Sequence, residues 1–77
     1  MKLTITIMIN GNEKKDIQVN SKQTIEDTIK ILQQAQFIDE KEKEQLRIKS
    51  LRRGVYIEKS NNYEEEYIFS GDILIID

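Results

Sequence analysis

The feature that most constrains this chain is its last segment, Ile73-Leu74-Ile75-Ile76, which follows the turn-like Ser70-Gly71-Asp72. Four large apolar residues rich in β-branched isoleucine favour a strand. At an exposed sheet edge, a strand of this composition would promote aggregation. We therefore predict that residues 73–76 form a strand in the centre of a sheet, parallel to the strand that opens the chain.

The first twenty residues carry the pattern of a β-hairpin. Leucine or isoleucine stands at every second position from residue 3 to residue 9, and polar and apolar residues alternate again from residue 15 to residue 20. Asn10-Gly11-Asn12 lies between the two runs, and Gly and Asn tolerate the positive φ angles of hairpin turns.

A helix is predicted from Ile25 to about Gln36, because its apolar residues recur at helical spacing. Thr24 is a suitable N-cap, with Asp27 three residues later. Phe37 and Ile38 are expected to cover the open end of the core. Residues 39–44 form a mixed charge run, which we interpret as a solvated connection, with an acidic docking edge as the alternative.

Three further strands complete the prediction. In residues 46–50, apolar and polar residues alternate, which predicts a strand. Residues 52–54 are predicted to form a turn, residues 55–58 a short strand and residues 60–62 a loop. The last strand is the one at residues 73–76. The expected fold is of the α+β class, in the order β-β-α-β-β-β. One helix packs across a mixed sheet of four to five strands in a single domain over residues 1–77. This arrangement is the β-grasp.

Two phrases of the sequence resemble a known group. The segment from Thr24 to Lys30 is similar to the helix start of ubiquitin and its relatives, and the segment from Tyr67 to Ile75 is similar to the ending of bacterial ubiquitin-like proteins. The order and spacing of the elements resemble the small stand-alone proteins of type VII secretion loci, of the YukD/EsaB type. The resemblance implies a binding role in secretion of small helical-hairpin substrates.

Composition narrows the function. The chain has no His and no Cys, so we expect no zinc site, no cofactor and no enzymatic activity. A formal net charge of -2 argues against a nucleic-acid binder, which would usually be basic. No stretch reaches the roughly 18 apolar residues of a membrane span, and we expect a cytoplasmic protein.

A carrier or modifier is an alternative from another class. Ubiquitin and the sulfur carriers end in a Gly-Gly tail, whereas this sequence ends Ile75-Ile76-Asp77, and its glycines lie at 11, 54 and 71. We therefore expect no conjugation chemistry.

The predicted partner site is the outer face of the sheet. Successive side chains of a strand point to opposite faces of the sheet, so each strand can be divided into inward and outward residues. The residues predicted to point into the core are Leu3, Ile5, Ile7, Ile9, Ile17, Val19, Leu46, Ile48, Ile73 and Ile75. Those predicted to lie on the outer face are Thr4, Thr6, Met8, Gln18, Arg47, Lys49, Leu74 and Ile76. From the outward set we predict a partner-binding patch of Met8, Leu74 and Ile76 with a basic rim of Arg47 and Lys49. The alternative is that these are single exposed apolar residues without a role.

The resemblance implies that this side of the sheet is the recognition surface, although Lys49 falls where ubiquitin has an apolar residue. The expected partner is a protein, such as the cytosolic part of a membrane component of the secretion machine. Dimerisation through sheet edges is left open.

Other charged and aromatic residues give weaker hypotheses. Glu64 to Glu66 are interpreted as solvated charge rather than a metal or docking site, because consecutive residues point apart. In the alternative that the protein binds nucleic acid, the binding residues would be Arg47, Lys49, Arg52 and Arg53. Tyr67 is expected to bury its ring.

Overall fold

The computed structural model describes residues 1–9, 13–38 and 46–76, and within these ranges it contains five strands and one helix. They are β1 (Lys2–Ile9), β2 (Glu13–Asn20), α1 (Ile25–Gln34), β3 (Ile48–Ser50), β4 (Val55–Ile57) and β5 (Ile73–Ile76). The predicted turn at residues 10–12 and the charge run at residues 39–44 lie outside the described residues.

The sheet has the strand order β2-β1-β5-β3-β4. The last strand lies at the centre, parallel to β1 and antiparallel to β3. The position and direction predicted for the apolar C-terminal segment are therefore confirmed, as are the class and the order of the elements. β3 is shorter than predicted because it begins at Ile48, although Leu46 is buried in the core.

Both ends of the helix follow local rules. The Thr24 hydroxyl accepts a hydrogen bond from the Asp27 amide at 3.2 Å, as expected of an N-cap. The helix ends two residues earlier than predicted. Gln36 adopts a φ of 64°, and the amide of Phe37 bonds back to the carbonyl of Leu32 at 2.9 Å. This is the Schellman arrangement, which closes a helix with a left-handed residue.

The core lies between the helix and the inner face of the sheet. Its buried apolar members are Leu3, Ile5, Ile7, Ile9, Val19, Ile25, Ile29, Leu32, Ile38, Leu46, Ile48, Ile57, Tyr63, Ile68, Leu74 and Ile76. Phe37 packs against this cluster and Ile38 belongs to it, so their predicted place at the core is confirmed.

The predicted parity of the last strand is wrong. Leu74 and Ile76 are only 1% and 2% exposed, whereas Ile73 and Ile75 are half-buried on the outer face. Register explains the difference, because Leu74 pairs with Ile7 of β1 and therefore shares its face. A shift of one residue moves every side chain of a strand to the other side of the sheet.

The prediction that Tyr67 buries its ring is also wrong. Tyr63, not Tyr67, buries its ring, and its hydroxyl donates a hydrogen bond to the buried Thr28 hydroxyl of the helix. Burial raises the pKa of Tyr63 to about 12, partly offset by the hydrogen bond to Thr28. Tyr67 is 64% exposed, with a φ of 56° that is costly for a bulky residue.

Candidate protein-interaction surface

One row of side chains crosses the outer face and takes one residue from each strand. Met8 of β1 lies between Lys14 of β2 and Ile75 of β5, and Lys49 of β3 lies between Ile75 and Tyr56 of β4. We call Lys14, Met8, Ile75, Lys49 and Tyr56 the central row. Pairing in register places these five side chains on the same side of the sheet.

The centre of this face is apolar. Met8, Ile73 and Ile75 are half-buried neighbours on the two central strands, and Ile73 pairs with Thr6. Beside them, the Thr6 hydroxyl donates a 2.6 Å hydrogen bond to the Asp16 carboxylate on β2. A side chain that is neither in the core nor fully in water offers area that a partner can cover without rearrangement of the fold.

Cations lie on two sides of the apolar strip that Met8, Ile73 and Ile75 form. The Tyr56 ring is 48% exposed, with the Arg47 guanidinium carbon 4.5 Å and the Lys49 ammonium 5.8 Å from its centre. Both distances lie within the range of cation–π attraction. These contacts hold the two basic groups over the end of the strip, while Lys14 lies at the other end of the central row.

Only part of the predicted patch is assembled in this structure. Met8, Arg47 and Lys49 lie on the outer face, as predicted. Leu74 and Ile76 lie in the core instead. Their places are taken by Ile73 and Ile75, with Tyr56 as an aromatic member that the sequence patterns did not indicate.

Arg52 and Arg53 have internal partners. Arg52 Nε donates to the Asp72 carboxylate at 2.8 Å, and the same guanidinium donates to the Tyr67 carbonyl. Arg53 donates to the Glu66 carbonyl at 2.7 Å. The two side chains fix the segment that precedes β5.

The acidic residues after β4 serve the local turn. The Asn62 side chain accepts a hydrogen bond from the Glu65 amide at 2.7 Å, and the Glu65 carboxylate accepts one from the Asn62 amide at 2.9 Å. This reciprocal pair resembles a capping box. Among the described residues, no group of three or more His, Cys, Asp or Glu side chains is placed to hold a metal ion.

A separate cavity lies near the start of β1. It has a volume of about 330 Å³ and is lined by apolar Leu3, Ile68 and Phe69 and by polar residues that include Lys22 and Glu64. Phe69 is itself 57% exposed, with the Arg52 guanidinium 5.1 Å from its ring centre.

Comparison with known proteins gives a fold but not a family. No protein-family model and no curated protein matches this sequence. Solved structures do match. A de novo design based on ubiquitin has a TM-score of 0.79 at 25% identity, and the match covers 99% of this chain and 87% of that one. The chain has the ubiquitin-like β-grasp fold.

Two natural proteins share this fold at lower identity. Ubiquitin from Caldiarchaeum subterraneum has a TM-score of 0.74 at 14% identity, covering 99% of this chain and 91% of that one. The ubiquitin-like domain of an Arabidopsis thaliana protein has a TM-score of 0.78 at 10% identity, covering 99% and 76%. In the part of the chain that the structure describes, no helix has the length and apolarity required to cross a membrane.

Proposed function

We propose that this ubiquitin-like protein is a non-enzymatic binding module that docks a protein partner on the outer face of its sheet. The observation that carries the proposal is the apolar strip of Met8, Ile73 and Ile75 beside Arg47 and Lys49. Protein-binding surfaces typically combine an apolar centre with a polar rim and include Tyr and Arg. The sequence also lacks His and Cys, the residues that most often supply acid–base or thiol chemistry.

The finer part of the proposal is the biological setting. We infer that the protein is an accessory or regulatory component of a bacterial type VII secretion system, active in the cytoplasm. The chain resembles proteins of such loci in its length, its N-terminal hairpin and its Gly71-Asp72 ending, and this resemblance supports the setting. The partner would be a cytosolic part of a membrane component of the machine.

Quantitative pull-down from a native lysate tests the docking face. The test variant is Ile73→Thr with Ile75→Thr, which keeps β-branched residues in the strand while removing apolar area. Ile31→Thr is the matched control, because Ile31 is 56% exposed on the helix, away from the sheet's outer face. The proposal predicts that the double variant loses partners that wild type and the control both retain. If all three proteins recover the same partners, the outer face is not the docking site.

Deletion of the gene tests the setting separately. The proposal predicts a change in the amount of the small helical-hairpin substrates that reach the medium, restored by wild type but not by the double variant. Unchanged secretion after deletion would remove the type VII assignment and would leave the binding role to the pull-down.

A further inference from the structure

Lys49 occupies an unusual place in the outer face. Within the central row it lies between Ile75 and Tyr56, so a charged group interrupts the apolar and aromatic residues. The side chain is half-buried, and its ammonium lies 5.8 Å from the centre of the Tyr56 ring. A partner that covers the apolar strip therefore has to cover this cation as well.

Cations outnumber carboxylates among the residues that the strands place on the outer face. The residues that the described strands place on this face include Lys2, Lys14 and Lys49, while Asp16 supplies their only carboxylate. One oxygen of Asp16 accepts the hydrogen bond from Thr6, and both Asp16 and Lys14 lie on β2, separated from β3 by two strands. Nearer to Lys49, Arg47 lies over the same aromatic ring and Glu58 directly follows β4.

The physical consequence is a demand on the partner. Removing an ammonium from water without a compensating charge or hydrogen bond is strongly unfavourable. A carboxylate opposite Lys49 would compensate it. An uncharged apolar partner would bury the cation unpaired, and a basic partner would add repulsion.

We propose that Lys49 is the specificity-determining residue of the outer face, and that the partner is an amphipathic segment with a carboxylate between apolar anchors. This inference rests on the proposed docking function and names the chemistry of the partner. The apolar side chains would cover Met8, Ile73 and Ile75, while the carboxylate would meet Lys49.

The test uses matched helical peptides of about 16 residues, a length at which isolated helices begin to be stable. Each carries two leucines two turns apart, at positions i and i+7, with Glu, Gln or Lys at i+4 between them on the same face. Binding to wild type and to Lys49→Met is measured from ¹⁵N–¹H chemical-shift changes. Met is used because it keeps the unbranched shape of the lysine stem and removes the charge.

The proposal predicts that the Glu peptide shifts amides of the outer face and binds wild type at least fivefold more tightly than the Gln peptide. The Lys peptide should be weaker again. Lys49→Met should abolish this order, with the Gln peptide binding at least as tightly as the Glu peptide. The preference of wild type for Glu should also fall as salt rises from about 20 to 200 mM, because salt screens exposed charges.

Three results would overturn the inference. They are equal binding of the Glu and Gln peptides to wild type, an unchanged preference in Lys49→Met, and selective binding to phosphatidylglycerol vesicles without binding of any peptide. The last result would assign the cationic face to a membrane surface. Equal binding on the outer face refutes only the role of Lys49. The docking function itself fails when the Ile73→Thr, Ile75→Thr variant retains every partner in the pull-down.

Discussion

The buried hydroxyl of Tyr63 gives a prediction that separates two physical effects. Its ring lies in the core, and its hydroxyl connects the segment after β4 to Thr28 on the helix. In Tyr63→Phe, the Thr28 oxygen keeps only the Gln23 side-chain amide as a donor, at 3.5 Å. Losing one buried hydrogen bond in this way costs about 1–2 kcal/mol of unfolding free energy at pH 7.

At alkaline pH the stability difference between wild type and Tyr63→Phe becomes smaller. The pKa of Tyr63 is raised from 10.0 to about 12 in the folded state. Between these values the unfolded chain releases the tyrosine proton while the folded chain retains it, so wild type loses stability as pH rises through this window. The loss is roughly 1.4 kcal/mol at pH 11 and about 2.3 kcal/mol at pH 12, and it approaches about 2.7 kcal/mol only above pH 12, from 1.36 kcal/mol per pKa unit. Tyr63→Phe has no such proton to release.

Urea unfolding at 25 °C, followed by circular dichroism at several pH values from 7 to 11, measures this difference. The stability gap between wild type and Tyr63→Phe should shrink above pH 10 and close near pH 11. Tyr56→Phe is the control, because Tyr56 is largely exposed and its ring is on the sheet surface. A gap for Tyr63→Phe that stays constant from pH 9 to pH 11 would refute the assigned burial of the hydroxyl.

Three further predictions concern stability and use the same unfolding assay. Leu74→Ala should lower the unfolding free energy by about 2–5 kcal/mol because it opens a cavity in the core. Ile75→Ala should lower it by only about 1 kcal/mol. Equal losses would contradict the assignment of Leu74 to the core and Ile75 to the outer face. Arg52→Ala should cost about 1–3 kcal/mol because the buried Asp72 carboxylate loses its ion pair, and Arg52→Lys should recover less than half, since one ammonium cannot also reach the Tyr67 carbonyl; full recovery would show that charge alone matters. Tyr67→Gly should raise stability by about 0.5–1 kcal/mol because glycine adopts the left-handed backbone without strain; a loss above 1 kcal/mol would mean that the exposed ring stabilises the fold.

The fold was predictable because its strongest signals are local. The alternation through Leu3 to Ile9, the cap at Thr24 and the helical spacing after Ile25 each specify an element without reference to the others. The placement of β5 followed from one further physical argument, that an apolar strand avoids an exposed edge. The confirmed order of elements along the chain and the central position of β5 depend on all of these.

The candidate site was predicted only in part, because β5 is apolar on both faces. Alternation assigns a strand's faces when polar and apolar residues differ, and Ile73-Leu74-Ile75-Ile76 offers no such difference. The parity is decided by pairing with β1, which places Leu74 beside Ile7. The pairing with β3 agrees, since the half-buried Lys49 is opposite Ile75 and the fully buried Ser50 is opposite Leu74.

The prediction that Tyr67 is buried was wrong for a related reason. Nothing in the local pattern separates Tyr63 from Tyr67, because both flank the same acidic stretch. The choice is made by tertiary partners. Thr28 on the helix receives the hydroxyl of Tyr63, while Arg52 and Arg53 from the β3–β4 turn hold the carbonyls of Glu66 and Tyr67.

The most direct test of the central claim is photocrosslinking in cells from the outer face itself. A photoreactive phenylalanine analogue in place of Tyr56 lies on this face and replaces a side chain that is already aromatic and exposed. The same analogue in place of Ile31, exposed on the helix, is the control. Docking on the outer face predicts covalent adducts with a protein from position 56, absent from position 31 and lost when Ile73→Thr and Ile75→Thr are added. Adducts from position 31 but not from position 56 would contradict it.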